Sequence, residues 1–266
     1  MFKLEKIFKF REGENNPDAV KPFLDHLEDL RWMLVKMAMT LGIGMVVAFC
    51  FHTPLIELVQ RPLNRLNPHL VTNLQVLSPT DPMIIVFEVT FYAGIVITFP
   101  VLLLYIAQFV LPALTPRERK IVVPVIVASF FLFMVGVLFC YFCVLPQTLK
   151  FFFGFAESLA WAPTWQVREY FGFVTQITLA FGLAFELPIV VVMLVYFRVL
   201  TSAFLRRTRP FAIVIVLCLA ALIAPTPDPV TFLCLGVPMC LLYELCIWLG
   251  WFVERARLKN EDAPIS

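Results

Sequence analysis

Apolar side chains run along this chain in long blocks separated by short polar breaks. Six blocks reach or approach the length of a membrane-crossing helix: residues 32–51, 82–111, 121–144, 171–197, 211–224 and 230–253. About 20 apolar residues are needed to cross the hydrocarbon layer as a helix. The second and fourth blocks exceed that length and are expected to tilt, or to bend at Pro100 and Pro188. The fifth, 14 residues long, covers only about 21 Å of a layer about 30 Å thick. The sixth carries Pro238 and Glu244, which shorten its unbroken apolar stretch. The pattern predicts an all-α integral membrane protein with six transmembrane helices, the last two short. Its expected order is a tail over 1–22, a membrane domain over 23–254 and a second tail over 255–266.

The two larger loops, 52–81 and 145–170, carry patterns of their own. Leu55, Leu58, Val59, Pro62 and Leu66 recur at spacings of three and four, which predicts an amphipathic helix over 54–66 lying along the membrane surface. The stretch 147–159, with Phe151, Phe152, Phe153 and Phe155, is expected to do the same. Trp161 and Trp165 suit an interfacial belt.

Composition agrees with this class. Hydrophobic residues are 61% and charged residues 15%, against roughly 45–50% and about 25% in a soluble domain. A soluble enzyme is excluded on that ground, and a formal net charge of +2 offers no basic face for nucleic acid. The distribution of charge is more informative than its sum. Sixteen of the Lys and Arg residues fall on the two tails and the loops that share their side, whereas the alternate loops hold only Arg61, Arg65, Lys150 and Arg168. The positive-inside bias then places both termini in the cytoplasm and the chain in the cell membrane as a multi-pass protein. Thirty-one residues precede the first block and no small-residue cleavage pattern follows it, so the N-terminal segment is expected to stay on the chain.

Chemistry-bearing motifs are sparse. Cys140 and Cys143 have redox spacing but lie in an uninterrupted apolar run, so they read as small packing residues, and the seven cysteines show neither zinc spacing nor a disulfide framework. His26, His52 and His69 all lie outside the blocks, which leaves no intramembrane Ser–His pair and no histidine zinc site. No enzyme, cofactor or metal is expected. Binding or conduction is the remaining class of function.

Carboxylates at unusual depths are the informative residues. Asp25, Glu28 and Asp29 precede the first block, opposite an apolar stripe of Phe23, Leu27, Leu30 and Leu34. They can cap a helix start, or they can face a cationic ligand. Glu118 follows Thr115 and Pro116 in the turn before the third block, where it fits either the third position of a capped helix or a binding role beside Arg117 and Arg119. Glu186 lies deep in the fourth block; an ionised group there costs roughly 2.5–3.5 kcal/mol on insertion scales and marks a functional site by default. Glu88 and Glu244 lie nearer the ends of their blocks, and Asp228 is placed to cap the sixth helix. These features fit a proton-coupled small-solute transporter using Glu186, or a receptor for a cationic ligand.

The motifs in order are His26-Leu-x-Asp-Leu-Arg31, Ser78-x-x-Asp-Pro82, Pro100, Phe109-x-x-Pro112, Glu118-Arg119, Phe181-Gly-x-x-Phe185-Glu-x-Pro188, Arg207-x-Arg209-Pro210, Pro227-Asp228-Pro229, Pro238-Met239 and Tyr243-Glu244. This series resembles the TatC family, the multispanning core subunit of the twin-arginine, Sec-independent protein translocase. The resemblance implies six tilted helices in a concave bundle braced by the outer-loop helices. It also implies that folded proteins bearing a twin-arginine signal are received and exported with the proton-motive force. Implied partners are single-span TatA and TatB subunits, precursor proteins, membrane lipids and further copies within a translocase complex.

Carried over by motif, Asp29 and Glu118 would bind the signal, with neighbouring Glu28 able to share the role because the family usually has Glu where this chain has Asp29. A guanidinium matches a carboxylate bidentately where lysine offers only a point charge. Two such pairs, at about 1.5–3 kcal/mol each, give selectivity without permanent capture. The resemblance also gives Glu186 an intramembrane, partner-facing role and leaves Asp228 and Glu244 structural or partner-facing. Leu104, Tyr105, Ala107 and Phe232 depart from the family pattern.

Overall fold

The structure, a computed structural model, describes residues 23–66, 74–113, 119–161, 164–223 and 229–261. Ten α-helices run through them: α1 (Phe23–Cys50), α2 (His52–Leu66), α3 (Asp81–Val110), α4 (Arg119–Phe139), α5 (Leu145–Ser158), α6 (Val167–Ala184), α7 (Leu187–Tyr196), α8 (Ser202–Arg207), α9 (Arg209–Ile223) and α10 (Pro229–Glu261). A short 3₁₀ turn, Leu111–Ala113, follows α3. The chain is all-α: among the described residues, the only extended pairing is one bridge between Gln75 and Gln166.

Among the described residues, five helical stretches are long and apolar enough to cross a membrane: His26–Cys50, Asp81–Val110, Ile121–Ser158, Val167–Tyr196 and Phe232–Phe252. The fifth predicted span is a shorter apolar helix, Arg209–Ala221, as the brevity of its apolar block requires. The outer surface is itself apolar, with Met39 at 64% and Val46 at 66% exposure on α1, which water would not tolerate along a whole helix face. This is a multi-pass membrane protein.

Two predicted boundaries differ. The third span does not stop at residue 144. It passes through a π-turn, Cys140–Val144, and continues into α5, so the predicted loop helix is the end of one long helical run. Pro146 permits this because it occupies the first turn of α5, where its missing N–H breaks little. The last helix likewise runs 33 residues, past the predicted end of its span. Pro100 leaves α3 unbroken, whereas the fourth span divides into α6 and α7 just before Pro188.

Close approach orders the bundle. α1 packs along α3 where Gly44 meets Gly94, and a Cβ on Gly94 would stand 2.9 Å from the Met45 nitrogen. Phe99 of α3 stacks on the buried ring of Phe133 of α4, with centroids 3.6 Å apart. α3 and α4 both pack on α6, and α10 packs on α7 and α9.

One end of the bundle is capped by α2. Leu63 is fully buried there, and the Tyr141 and Tyr170 hydroxyls donate to the Leu58 and Val59 carbonyls at 2.8 and 2.7 Å. Gln75 joins the stretch before α6 by bonds to Trp165 and Val167 of 2.9 and 3.0 Å. The Ser78-x-x-Asp81 motif is explained at this end: buried Asp81 accepts from the Ser78 N–H at 2.9 Å and lies 3.8 Å from Arg168. The opposite end, the tail face, holds the start of α1, α8 and the end of α10.

Candidate functional site

The acids of α1 stand at the tail face. Glu28 and Asp29 are exposed on its second turn; Leu27 and Leu34 of the predicted apolar stripe are exposed as well, and Leu30 is half-buried. One turn before them, His26 stacks on Phe109 near the end of α3, with ring centroids 4.4 Å apart and 18° between planes. Two motifs far apart in sequence thus meet, and the α1 acids are fixed beside the turn that leads towards α4. Glu118, assigned to the same site, lies outside the described residues; Arg119, immediately after it, opens α4.

Glu186 occupies the break between α6 and α7. Its N–H donates back to Leu183 at 3.1 Å, and its carbonyl accepts from Ile189 and Val190 at 3.1 Å, so the main chain turns without losing its bonds. Pro188, fully buried in the first turn of α7, supplies no donor and makes the break tolerable. The side chain is half-buried, and its Oε1 is shielded from solvent without a hydrogen-bond partner. Buried Ser129 of α4 places its hydroxyl within reach of the carboxyl. A carboxylate held at a helix break inside the bundle can bind a donor from another helix or hold a proton.

Glu244 has a partner that spacing along the chain did not reveal. Its Oε2 lies 2.9 Å from Nη2 of Arg209, which joins α10 to the start of α9. The adjacent Tyr243 hydroxyl donates to the Leu205 carbonyl at 3.0 Å. Further along α10, Glu254 accepts from the Ser202 N–H at 3.0 Å and secures α8. The Arg207-x-Arg209-Pro210 and Tyr243-Glu244 motifs are therefore two halves of one tail-face junction. Opposite signs of charge near the ends of neighbouring spans were the available signal.

Glu88 of α3 lies over Gly172 of α6, where an added Cβ would stand 3.5 Å from its Oε1. Asp228 lies outside the described residues. Cys140 is buried, with its sulfur 3.9 Å from the Thr178 hydroxyl, whereas Cys143 is exposed, and both are free thiols. Among the described residues, no three His, Cys, Asp or Glu gather as metal ligands. Phe232, one of the departures, is half-buried against the main core.

A family model described as "Sec-independent protein translocase protein (TatC)" matches residues 25–238. The chain belongs to the TatC family. A TatC protein of Aquifex aeolicus is 36% identical over 244 residues, covering 91% of this chain and 100% of the relative. One from Akkermansia muciniphila is 43% identical over 189 residues, covering 70% of this chain but 54% of the longer relative. The fold matches a crystal structure of the "Twin Arginine Translocase Receptor- TatC" with TM-score 0.78 and 37% identity, covering 86% of this chain and 99% of that one. TatC membership makes the chain a subunit of the Sec-independent protein translocase, a transport role within a complex of Tat components. The same membership favours the translocase over the small-solute transporter.

Proposed function

We propose that this protein is the receptor subunit of the translocase, binding twin-arginine signal peptides through Glu28, Asp29 and Glu118 at a cytoplasmic tail face. The observation that carries the reading is the pair of exposed acids on α1, anchored beside the end of α3 by the His26–Phe109 stack. Asp29, with Glu28 able to share its role, takes one guanidinium of an extended peptide and Glu118 takes the other, and a carboxylate carried on a helix gives that pair a fixed mount. Both termini face the cytoplasm in this reading, supported by the distribution of Lys and Arg. Export then uses TatA- and TatB-type single-span partners and the proton-motive force. Glu186 serves as a polar anchor for a partner helix, supported by its shielded oxygen at the α6–α7 break.

The test is co-purification of the full chain with a precursor carrying paired arginines and with the same precursor carrying paired lysines. The arginine form should be retained at least about tenfold better, the worth of one lost charge-assisted pair. Equal retention would remove the carboxylate site from the reading.

A further inference from the structure

We propose that the tail-face cavity between α8, α9 and α10 binds the phosphate headgroup of an anionic glycerophospholipid of the phosphatidylglycerol type. Arg206, Arg209, Ile247 and Trp248 line a cavity of about 440 Å³, within the roughly 300–1,000 Å³ range of small-ligand sites. Arg206 is exposed and has no acidic partner among the described residues. Arg209 is paired through one terminal nitrogen to Glu244 at 2.9 Å, while its Nε is shielded from solvent and has no hydrogen-bond partner. Two guanidinium groups therefore meet one carboxylate, and one positive charge is left uncompensated. The planar fork of arginine matches phosphate oxygens in pairs, which suits this remaining charge to a phosphodiester.

The other wall makes the ligand an amphiphile. Ile247 is buried, but Trp248 is 60% exposed and stands in an outward apolar row with Leu241 at 65% and Phe252 at 57%. Arg209 opens the short apolar helix Arg209–Ala221, so its guanidinium sits where the lipid headgroups begin. A free phosphate would satisfy the charge and leave the Trp248 wall without a partner. A headgroup with its glycerol and acyl chains satisfies both. By the charge distribution the leaflet is the cytoplasmic one, and the binding chemistry does not depend on that assignment.

Native mass spectrometry of the full chain in detergent, titrated with phosphatidylglycerol, phosphatidylcholine or inorganic phosphate, tests the site. The expected result is preferential retention of phosphatidylglycerol, weakened about tenfold or more by Arg206→Ala. Arg206→Lys, which keeps charge without the fork, falls between. Arg207→Ala, at a position outside the described cavity lining, retains the lipid as the wild type does and reports that the purified fold survives mutation next to the site. Equal retention by wild type and Arg206→Ala, or equal binding of phosphatidylcholine, overturns the proposal. Displacement of the lipid by millimolar inorganic phosphate overturns the headgroup assignment in favour of a soluble anion. Precursor binding is measured separately, so either result leaves the receptor reading to its own test.

Discussion

Glu28 and Asp29 are neighbours on α1, and about 100° of helix rotation separates their side chains. They cannot present their carboxylates in one direction, yet both are exposed and reachable by a flexible arginine. Solvent screening reduces each contribution until a bound peptide excludes water. We therefore expect Asp29→Ala alone to weaken binding of a labelled twin-arginine peptide by only a few-fold, and Glu28→Ala/Asp29→Ala by about tenfold or more. Glu118→Ala should act in the same direction. Thermal stability should move by no more than about 0.5 kcal/mol in the double variant, as for exposed positions generally. A double variant that binds peptide like the wild type would take the α1 acids out of the site. The acids were legible because three carboxylates directly before a span, on the side rich in Lys and Arg, run against the positive-inside bias. Their neighbour Phe109 was not, because a ring stack across 83 residues leaves no trace in local spacing.

At the scale of elements, α2 is held by two tyrosines in different environments. Tyr170 is 4% exposed and donates to Val59, while the Tyr141 bond to Leu58 is open to solvent. Removing a donor from a shielded carbonyl leaves it unsatisfied, at about 1–3 kcal/mol, whereas water can replace the exposed bond. Tyr170→Phe should lower the unfolding midpoint in detergent clearly, and Tyr141→Phe little. The reverse order would show that α2 is held by packing around Leu63 alone. The existence of α2 was legible from its three-and-four spacing. The fusion of α4 through the π-turn into α5 was not, because Pro146 in sequence reads equally as a breaker or as a first-turn residue. Nor was the continuation of α10 past residue 253, where Glu254 meets Ser202, a partner that only the fold brings near.

On the scale of the whole molecule, apolar exposure on several helices and one interrupted helix inside the bundle pose the question of what Glu186 contributes to transport. Its Oε1 is shielded without a partner, and Ser129 reaches the carboxyl from a neighbouring helix. Such a group is costly in the membrane unless a second protein supplies a donor or the group stays protonated. As an anchor for a partner helix it needs shape and hydrogen-bonding capacity, both of which Gln keeps. As a proton carrier it needs to gain and lose a proton, which Gln cannot do. We expect Glu186→Gln to retain substantial export, with crosslinks to single-span partners intact. Glu186→Leu should lose most export together with those crosslinks, while binding of the twin-arginine peptide at the distant α1 acids stays near wild type. Export lost equally in Gln and Leu, with crosslinks preserved in both, would overturn the anchor role and assign proton chemistry to the α6–α7 break.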